Sequence, residues 1–505
     1  MIFRIFNKDL PLHSLLFVIG EGVLIYLVIL TMGFLWYDLP GFSFLTRKML
    51  AGALLITMVC QTSIYFNDLY RFAVTDSYVE VARSLIRAMG VACIALALIY
   101  HCIPSLVIGH GLVVAAIIVF IFLGFAWRHA YKLVLKKMML NERILLVGSG
   151  EVCQKILDAI NERRDCGYRI TGLVYTNSTS ARFKPRDVPV YEKSIGLSQL
   201  AKSLTARTII LAVDQRRGSL PMQELFRCKM QGIKIVDSES FYEKLTGKIL
   251  VEKTHPSWFI FSDGFRTSKQ ARFFKRLFDI VLASLGLICA SPLVGIIALA
   301  IKIDSAGPVI FKQVRCGKNE RTFELNKFRS MIHKAEENCG PVWSQADDWR
   351  VTRVGRILRK YRLDEIPQMW NVLKGDMSFV GPRPERPEFV ENLKNIIPYY
   401  SERHNLKPGL TGWAQISFGY GASVEDALEK LAYDLFYVKN MSVLMDLMIV
   451  LGTIKVVLRK DSTRQSSFAQ VRGGGEKTFE RCESVAHSAS VVTQEKYNHT
   501  MGKTI

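Results

Sequence analysis

Acids are scarce in this chain. Its 505 residues carry 45 Asp and Glu against 66 Lys and Arg, a formal net charge of +21. Such a balance points to partners that present phosphate or anionic lipid. Paired cysteines are missing as well: the ten are scattered, no C-x-x-C occurs, and Cys60, Cys93 and Cys289 fall inside apolar runs. This excludes a disulfide scaffold and fits free thiols in a reducing compartment. Zinc-finger spacing, an RNP-like aromatic motif and a basic arm ahead of heptads are all absent, which argues against nucleic acid as the partner. No small-residue cleavage site follows the first apolar run, and that run is too long for a cleaved signal peptide.

Hydrophobic residues, by contrast, make up half of the chain. Four apolar runs come first, at roughly 14–36, 49–66, 88–104 and 106–128. The first and last are long enough for a hydrocarbon core of about 30 Å; the middle two are short for it. Glu21 is an acid inside the first run, placed to act in the membrane, to pair within the bundle or to sit near an interface. Basic residues orient the runs. With the N-terminus cytoplasmic, Arg4, Lys8, Arg71, Arg83, Arg87, Arg128, Lys132, Lys136 and Lys137 are inside, and only Arg47 and Lys48 dissent. Residues 1–135 are therefore expected to be a four-helix transmembrane region, with the following chain cytoplasmic.

Residues 140–255 read as a small doubly wound α/β domain, Rossmann-like in pattern. An apolar strand leads into Gly148-Ser149-Gly150 and then a helix, which is how a nucleotide-binding βα turn begins. The fingerprint is incomplete, because Cys153 stands where its third glycine belongs. The next strand, Ile170 to Tyr175, ends in Thr176-Asn177 and offers no acid for a ribose. Further strands are expected at 208–213 and 233–236. A structural or regulatory module without bound NAD is the expectation.

A fifth apolar segment, 273–304, contains Ser291-Pro292 near its centre. Proline removes a helix hydrogen bond and clashes with the preceding turn, so a break is expected there. Lys275 and Arg276 precede the segment, and Lys302, Lys312 and Arg315 follow it. Basic flanks at both ends favour a helix that enters and leaves on one face, and not a fifth span.

From Gly307 the chain is dense in cations. Lys327 and Arg329 lie among Phe323, Phe328 and Met331, and Arg356, Arg359 and Lys360 fall at helical spacing on one face. Directly behind come Asp364-Glu365, opening what reads as a helix, and then Gly-Pro-Arg-Pro at 381–384. A carboxylate can attack phosphorus if metal and cationic side chains neutralise the charge. Arginine clamps phosphate oxygens with two parallel hydrogen bonds. An Asp-Glu pair alone commonly serves only a helix dipole; its cationic setting points to a phosphate site. Arg403, Lys407 and the turn Pro408-Gly409 form a second region, with Trp413 read as structural or interfacial. Glu425, Glu429, Asp434 and Tyr437 read as a solvated helix face. Residues 441–458 are expected to lie on a membrane and not cross it, because Asp446 interrupts them.

Ordered motifs carry a resemblance: KRLFD at 275–279, Ser291-Pro292, GPVIFKQVRCG at 307–317, KFRSM at 327–331, the run from Arg350 to Glu385 and KPGLTGWAQI at 407–416. Residues 273–458 resemble the catalytic domain of bacterial sugar transferases, the polyprenyl-phosphate glycosyl-1-phosphate transferases. The chain ahead resembles their long form. GPVW at 340–343, PERPEF at 384–389 and YGASVEDALEKL at 420–431 resemble the subgroup associated with exosortase/PEP-CTERM exopolysaccharide systems. The resemblance implies transfer of a sugar 1-phosphate from a UDP-sugar to undecaprenyl phosphate, releasing UMP, at the cytoplasmic face of the inner membrane. It makes Asp364 the nucleophile and Glu365 the Mg²⁺ ligand, gives phosphate contacts to Lys327, Arg359 and Arg383, and lets Ser291 and Pro292 break a re-entrant helix at 273–304. Residues 305–458 would be the mostly helical (α+β) catalytic domain and 460–505 a disordered tail. A homo-oligomer is compatible with this reading. The rival readings are a non-catalytic scaffold of polysaccharide assembly and a nucleotide-sugar oxidoreductase. The latter lacks a Tyr-x-x-x-Lys dyad.

Overall fold

The four leading apolar runs fold as long helices in a computed structural model of the chain. It describes residues 2–5, 8–36, 47–70, 78–108, 111–137, 142–148, 150–162, 166–175, 188–191, 196–212, 221–254, 256–265, 268–332, 348–419, 421 and 423–458. Ser149, Thr176-Asn177, the stretch 340–343 and the tail 460–505 lie outside the described residues. A short antiparallel pair, β1 (Ile2–Ile5) and β2 (Lys8–Pro11), precedes α1 (Leu12–Trp36), α2 (Arg47–Phe66), α3 (Tyr78–Cys102) and α4 (Leu112–Lys137). The third helix starts ten residues ahead of its apolar run, since Glu80, Arg83 and Arg87 are polar but helix-compatible. Pro104 opens a separate turn, Pro104–Leu106, so the fourth helix begins at 112 and not 106. Ile25, Ile56, Leu85, Met89 and Phe120 fill the bundle core. Glu21 is fully buried and paired: Arg128 donates to it at 2.5 Å and to the Leu69 carbonyl at 2.8 Å.

A five-stranded, all-parallel sheet follows, built from β3 (Glu142–Gly148), β4 (Tyr168–Val174), β5 (Val190–Tyr191), β6 (Thr208–Ala212) and β7 (Lys234–Asp237), in the order β5-β4-β3-β6-β7. Between them lie α5 (Glu151–Glu162), α6 (Leu197–Ser203) and α7 (Met222–Met230), and after them α8 (Ser238–Thr246) and α9 (Pro256–Phe261). Alternate residues of β3 face two separate cores, Ile144 and Leu146 toward α5 and α8, Leu145 and Val147 toward α6 and α7. At the end of β3, Gly148 has φ +148°, and a Cβ there would lie 1.9 Å from the Ala212 carbonyl oxygen, so glycine alone fits. The edge strand β5 has only two residues and left no readable sequence pattern.

The chain divides into two units, Met1–Phe265 and Arg266–Ile505. The second is built on α10 (Lys269–Asp304), capped at its start by Ser268. Among the described residues five helices, α1 to α4 and α10, are long and apolar enough to cross a membrane. The helix continues through Pro292 where a break was expected. Proline deprives the Ile288 carbonyl of its usual partner, and the Ser291 hydroxyl donates to that oxygen at 2.8 Å. In apolar surroundings an unmet carbonyl costs several kcal/mol, on the order of a lost helix turn. Serine beside proline therefore keeps the helix whole.

Around α10 lie a hairpin, β8 (Ile310–Cys316) with β9 (Thr322–Phe328); the helices α11 (Arg353–Lys360) and α12 (Gln368–Lys374); β10 (Ser378–Val380); α13 (Pro387–Ile396); β11 (Gly409–Thr411), parallel to β10; and α14 (Trp413–Ser417), α15 (Val424–Asn440) and α16 (Val443–Leu458). The KRLFD stretch explains this packing. Lys275 donates to Asp446 of α16 at 2.8 Å, to the Tyr437 hydroxyl of α15 at 3.0 Å and to the Val380 carbonyl at 3.0 Å. Arg276 caps the end of α12, donating to the Val372 and Leu373 carbonyls at 2.6 and 2.7 Å. Asp279 accepts from the Ser378 hydroxyl at 3.0 Å and the Phe379 N–H at 2.9 Å. Asp434 and Tyr437 are buried, which corrects their reading as a solvated face. Asp446 is likewise buried; it is an internal anchor of α16 and not a polar interruption of its surface.

Removing the Asp279 carboxylate leaves the Phe379 N–H without its acceptor, while the Ser378 hydroxyl keeps only the Val380 carbonyl at 2.9 Å. Asp279→Ala should lower stability by about 3 kcal/mol, while Asp279→Asn, which keeps an acceptor, should cost about half that. Thermal unfolding of the full chain in detergent measures both, and equal losses would contradict the anchor.

Candidate functional site

The cations expected at the site come from three separate elements. Thr352 caps α11, accepting from the Gly355 N–H at 3.0 Å. A Cβ on Gly355 would lie 2.0 Å from the Ser330 carbonyl oxygen, so the first turn of α11 rests directly on the chain after β9. Val354 and Leu358 turn inward against Ile297, Ile301 and Phe328. The expected single stripe of cations splits: Arg356 and Lys360 are exposed, whereas Arg359 is half-buried and its Nε donates to the Ser330 hydroxyl at 2.9 Å. Leu358 needs the core, and that rotation carries Arg359 inward beside it.

After Tyr361 the chain reverses at Arg362, which adopts the left-handed conformation with φ 54° and ψ 24°. This conformation costs a non-glycine residue of order 1 kcal/mol and marks a position held by its surroundings. It delivers Asp364 and Glu365 on a single 3-10 turn, Leu363–Glu365, ahead of α12 and not on the helix expected from the sequence. Successive side chains on such a turn diverge by about 120°. Both carboxylates are only 8% exposed.

Their surroundings differ. Glu365 accepts from Arg383 Nη2 at 2.8 Å, and Lys327 Nζ and Arg362 Nη1 lie 4.0 and 3.7 Å from its oxygens. Burial alone would raise the Glu365 carboxyl, but Arg383, Lys327 and Arg362 together outweigh it and hold the group at about 2. Asp364 accepts no hydrogen bond among the described residues. Burial raises its carboxyl, Lys327 opposes this, Glu365 adds to it, and Arg359 and Arg383 oppose it again. Burial also brings Lys327 down to about 8, against the pull of Glu365 and Asp364. One carboxylate is thus locked in cations. The other is buried, faces the same cations and accepts no hydrogen bond from a described residue. All five site residues expected from the sequence outside α10, namely Lys327, Arg359, Asp364, Glu365 and Arg383, come together here. Ser291 and Pro292 act in α10 instead.

Arg383 is held by backbone. The Gly381 N–H donates to the Thr411 carbonyl and the Gly409 N–H to the Pro382 carbonyl, at 2.9 and 2.8 Å. A Cβ on Gly381 would lie 2.5 Å from the Lys407 carbonyl oxygen, so the Gly-Pro-Arg-Pro turn and the chain at 407–411 are pressed together. Arg315 donates to the Pro384 carbonyl at 3.3 Å from the end of β8. In the sequence Arg315 is a basic flank of the fifth apolar segment and part of GPVIFKQVRCG, and Arg362 is one of the cations just ahead of Asp364-Glu365; neither has a role assigned to it there. Trp413 packs against Phe436 with ring centres 6.0 Å apart. Among the described residues, no group of three or more His, Cys, Asp and Glu side chains could hold a metal ion.

The bacterial sugar transferase profile matches residues 270–460, which contain every one of these groups. Over 185 residues the chain is 40% identical to the exopolysaccharide production protein PSS of Rhizobium leguminosarum bv. phaseoli, covering 36% of this chain and 92% of that one. The chain belongs to the bacterial sugar transferase family. It is also 42% identical over 234 residues to UDP-N-acetylgalactosamine-undecaprenyl-phosphate N-acetylgalactosaminephosphotransferase of Aeromonas hydrophila, 46% of this chain and 54% of that one. With UDP-glucose:undecaprenyl-phosphate glucose-1-phosphate transferase of Escherichia coli (strain K12) it shares 47% identity over 189 residues, 36% and 40% of the two chains. The matches to these last two span about half of their length or less.

Lys327 gives the site a testable pH signature. As pH rises through about 8 its ammonium is lost in the free protein, and with it one of the cations beside Glu365 and Asp364. Turnover over substrate affinity should fall along a basic limb centred near 8, and Lys327→Arg should move that limb above pH 10. A limb unmoved by the substitution would assign it to another group.

Proposed function

We propose that this chain transfers a sugar 1-phosphate from a UDP-sugar to undecaprenyl phosphate, releasing UMP, as the initiating step of exopolysaccharide assembly. One observation carries the reading: a buried carboxylate with no hydrogen-bond partner among the described residues, Asp364, stands beside a fully compensated one, Glu365, within a ring of Lys and Arg. An Asp364 oxygen attacks the phosphorus that bears the sugar. The bond from that phosphorus to the bridging oxygen breaks, and UMP departs with its electrons. The acyl-phosphate left on Asp364 is then displaced by an oxygen of undecaprenyl phosphate, which regenerates the carboxylate and forms the lipid diphosphate-sugar. Lys327, Arg359 and Arg383 neutralise the phosphoryl oxygens throughout.

Mg²⁺ suits the donor set, because this ion is commonly held by one or two carboxylates with substrate phosphates completing its shell. Glu365, with Asp364 beside it, would hold it. Bound there, the ion would offset the charge of the diphosphate. Arg383 is 38% exposed and able to move from Glu365 to a phosphate as it does so.

The membrane reading rests on α10. At about 1.5 Å per residue its 36 residues are longer than a hydrocarbon core of about 30 Å needs. Basic flanks at both ends support a re-entrant course that sets the site at headgroup level on the cytoplasmic face of the inner membrane. A lipid phosphate and a soluble nucleotide sugar meet there. The strand order β5-β4-β3-β6-β7 supports a Rossmann-like middle domain. At the start of its α5, Glu151 already pairs with Lys155 and Lys253 at 2.9 and 3.1 Å, which favours a structural role over phosphate binding.

Membranes containing the protein, given radiolabelled UDP-sugars, undecaprenyl phosphate and Mg²⁺, should release UMP and label the lipid. Asp364→Asn and Glu365→Gln should each reduce transfer by about 10³-fold or more. Release of UDP in place of UMP would contradict the proposed bond cleavage.

A further inference from the structure

Arg403 lies in the 3-10 turn Tyr400–Asn405, and its guanidinium is buried behind the site. Its Nη1 donates to the Tyr400 hydroxyl at 2.7 Å. Its Nη2 donates to Asp434 of α15 at 2.7 Å and to the main-chain carbonyl of Arg383 at 3.1 Å. Arg383 is therefore gripped at both ends: its carbonyl points back to Arg403, and its side chain points forward to Glu365 at 2.8 Å. At 4% exposure Arg403 has no surface to offer a substrate, and Asp434, at 2%, has none either. A buried ion pair is weak evidence for stability, because desolvation cancels much of the attraction. Here the pair has a geometric consequence, since a planar fork bridges three acceptors on the turn after β10, on α15 and on its own turn.

We infer that Arg403, held by Asp434 and Tyr400, is a positioning residue that fixes the main chain of Arg383 and so sets where the Arg383 guanidinium meets phosphate. Arg315 grips the neighbouring Pro384 carbonyl, but it also bears on Lys327 through its charge, so it is a less clean probe. The inference rests on the proposed phosphate role of Arg383. Among the described residues Asp434 and Arg403 make no hydrogen bond to Asp364 or Glu365, and they act through Arg383.

A double-mutant cycle on the full chain in detergent tests it, read as UMP release from radiolabelled UDP-sugars per folded molecule. Arg403→Gln should lower kcat/KM about a hundredfold when Arg383 is present. In the Arg383→Gln background the same change should cost about threefold or less, because the group being positioned is gone. Arg403→Lys keeps the charge but not the fork, and should behave like Arg403→Gln. Equal losses in both backgrounds, tracking a common fall in unfolding temperature, would overturn the inference in favour of a purely structural pair. If Arg403→Gln does not fold, Asp434→Asn and Tyr400→Phe are taken through the same cycle with the same criteria. If the parent protein turns over no UDP-sugar, the transfer reading fails separately. The cycle is then read as affinity for inorganic pyrophosphate with Mg²⁺, where coupling between Arg403 and Arg383 supports positioning and additivity overturns it.

Discussion

Two neighbouring carboxylates, Asp364 and Glu365, are buried side by side, and the catalytic unit is organised around the cations that make this possible. Unit charges 4 Å apart interact by about 4 kcal/mol at an effective dielectric near 20. One cation can therefore cancel the repulsion between the two acids. More than one is required to offset the loss of water around both. Lys327, Arg362 and Arg383 all reach Glu365, and Arg359 adds its charge at Asp364. These four come from a β-strand, a left-handed reversal, a Gly-Pro turn and a helix. Two of those elements are held by contacts away from the acids: Arg359 by the Ser330 hydroxyl, and the turn of Arg383 by the chain at 407–411.

The α10 helix links that cluster to the rest of its unit. Lys275, Arg276 and Asp279 lie on consecutive or near-consecutive positions of one helix, yet they fasten three different elements: α16, α12 and β10. The strand β10 leads directly into the turn that carries Arg383, and α12 follows the turn that carries the two acids. The apolar part of the same helix keeps its hydrogen bonding across Pro292 through the Ser291 hydroxyl. A single element thus combines a long apolar stretch with the charged anchors of a polar site.

Much of the site was legible in the sequence because its chemistry is carried by residue types. Asp364-Glu365 next to Arg359, with Arg383 in a Gly-Pro turn, marks a cationic site around paired acids by charge alone, and the specific roles proposed for these residues came from resemblance. Apolar runs located the long helices, but two helix starts were missed: Tyr78 because hydropathy does not register polar, helix-compatible turns, and Leu112 because Pro104 opens a separate turn inside the apolar run. What the sequence hid was tertiary. Asp434, Tyr437 and Asp446 look like surface residues until Arg403 and Lys275 arrive from distant positions to satisfy them. Arg359 reads as one of a stripe until Leu358 claims the core. The reversal at Arg362 has no local signal, since a non-glycine residue with positive φ is held there by packing and not by its own preference.

The central claim is that Asp364 becomes covalently bonded to phosphorus, and the most direct measurement is to trap that species. The protein is incubated with a UDP-sugar labelled on the phosphate next to the sugar, in the absence of undecaprenyl phosphate, then quenched and analysed by peptide mass spectrometry. The account predicts label and sugar-phosphate mass on the peptide bearing Asp364, absent in Asp364→Asn and discharged when undecaprenyl phosphate is added. Full transfer activity with label on no peptide, or label persisting in Asp364→Asn, would contradict it.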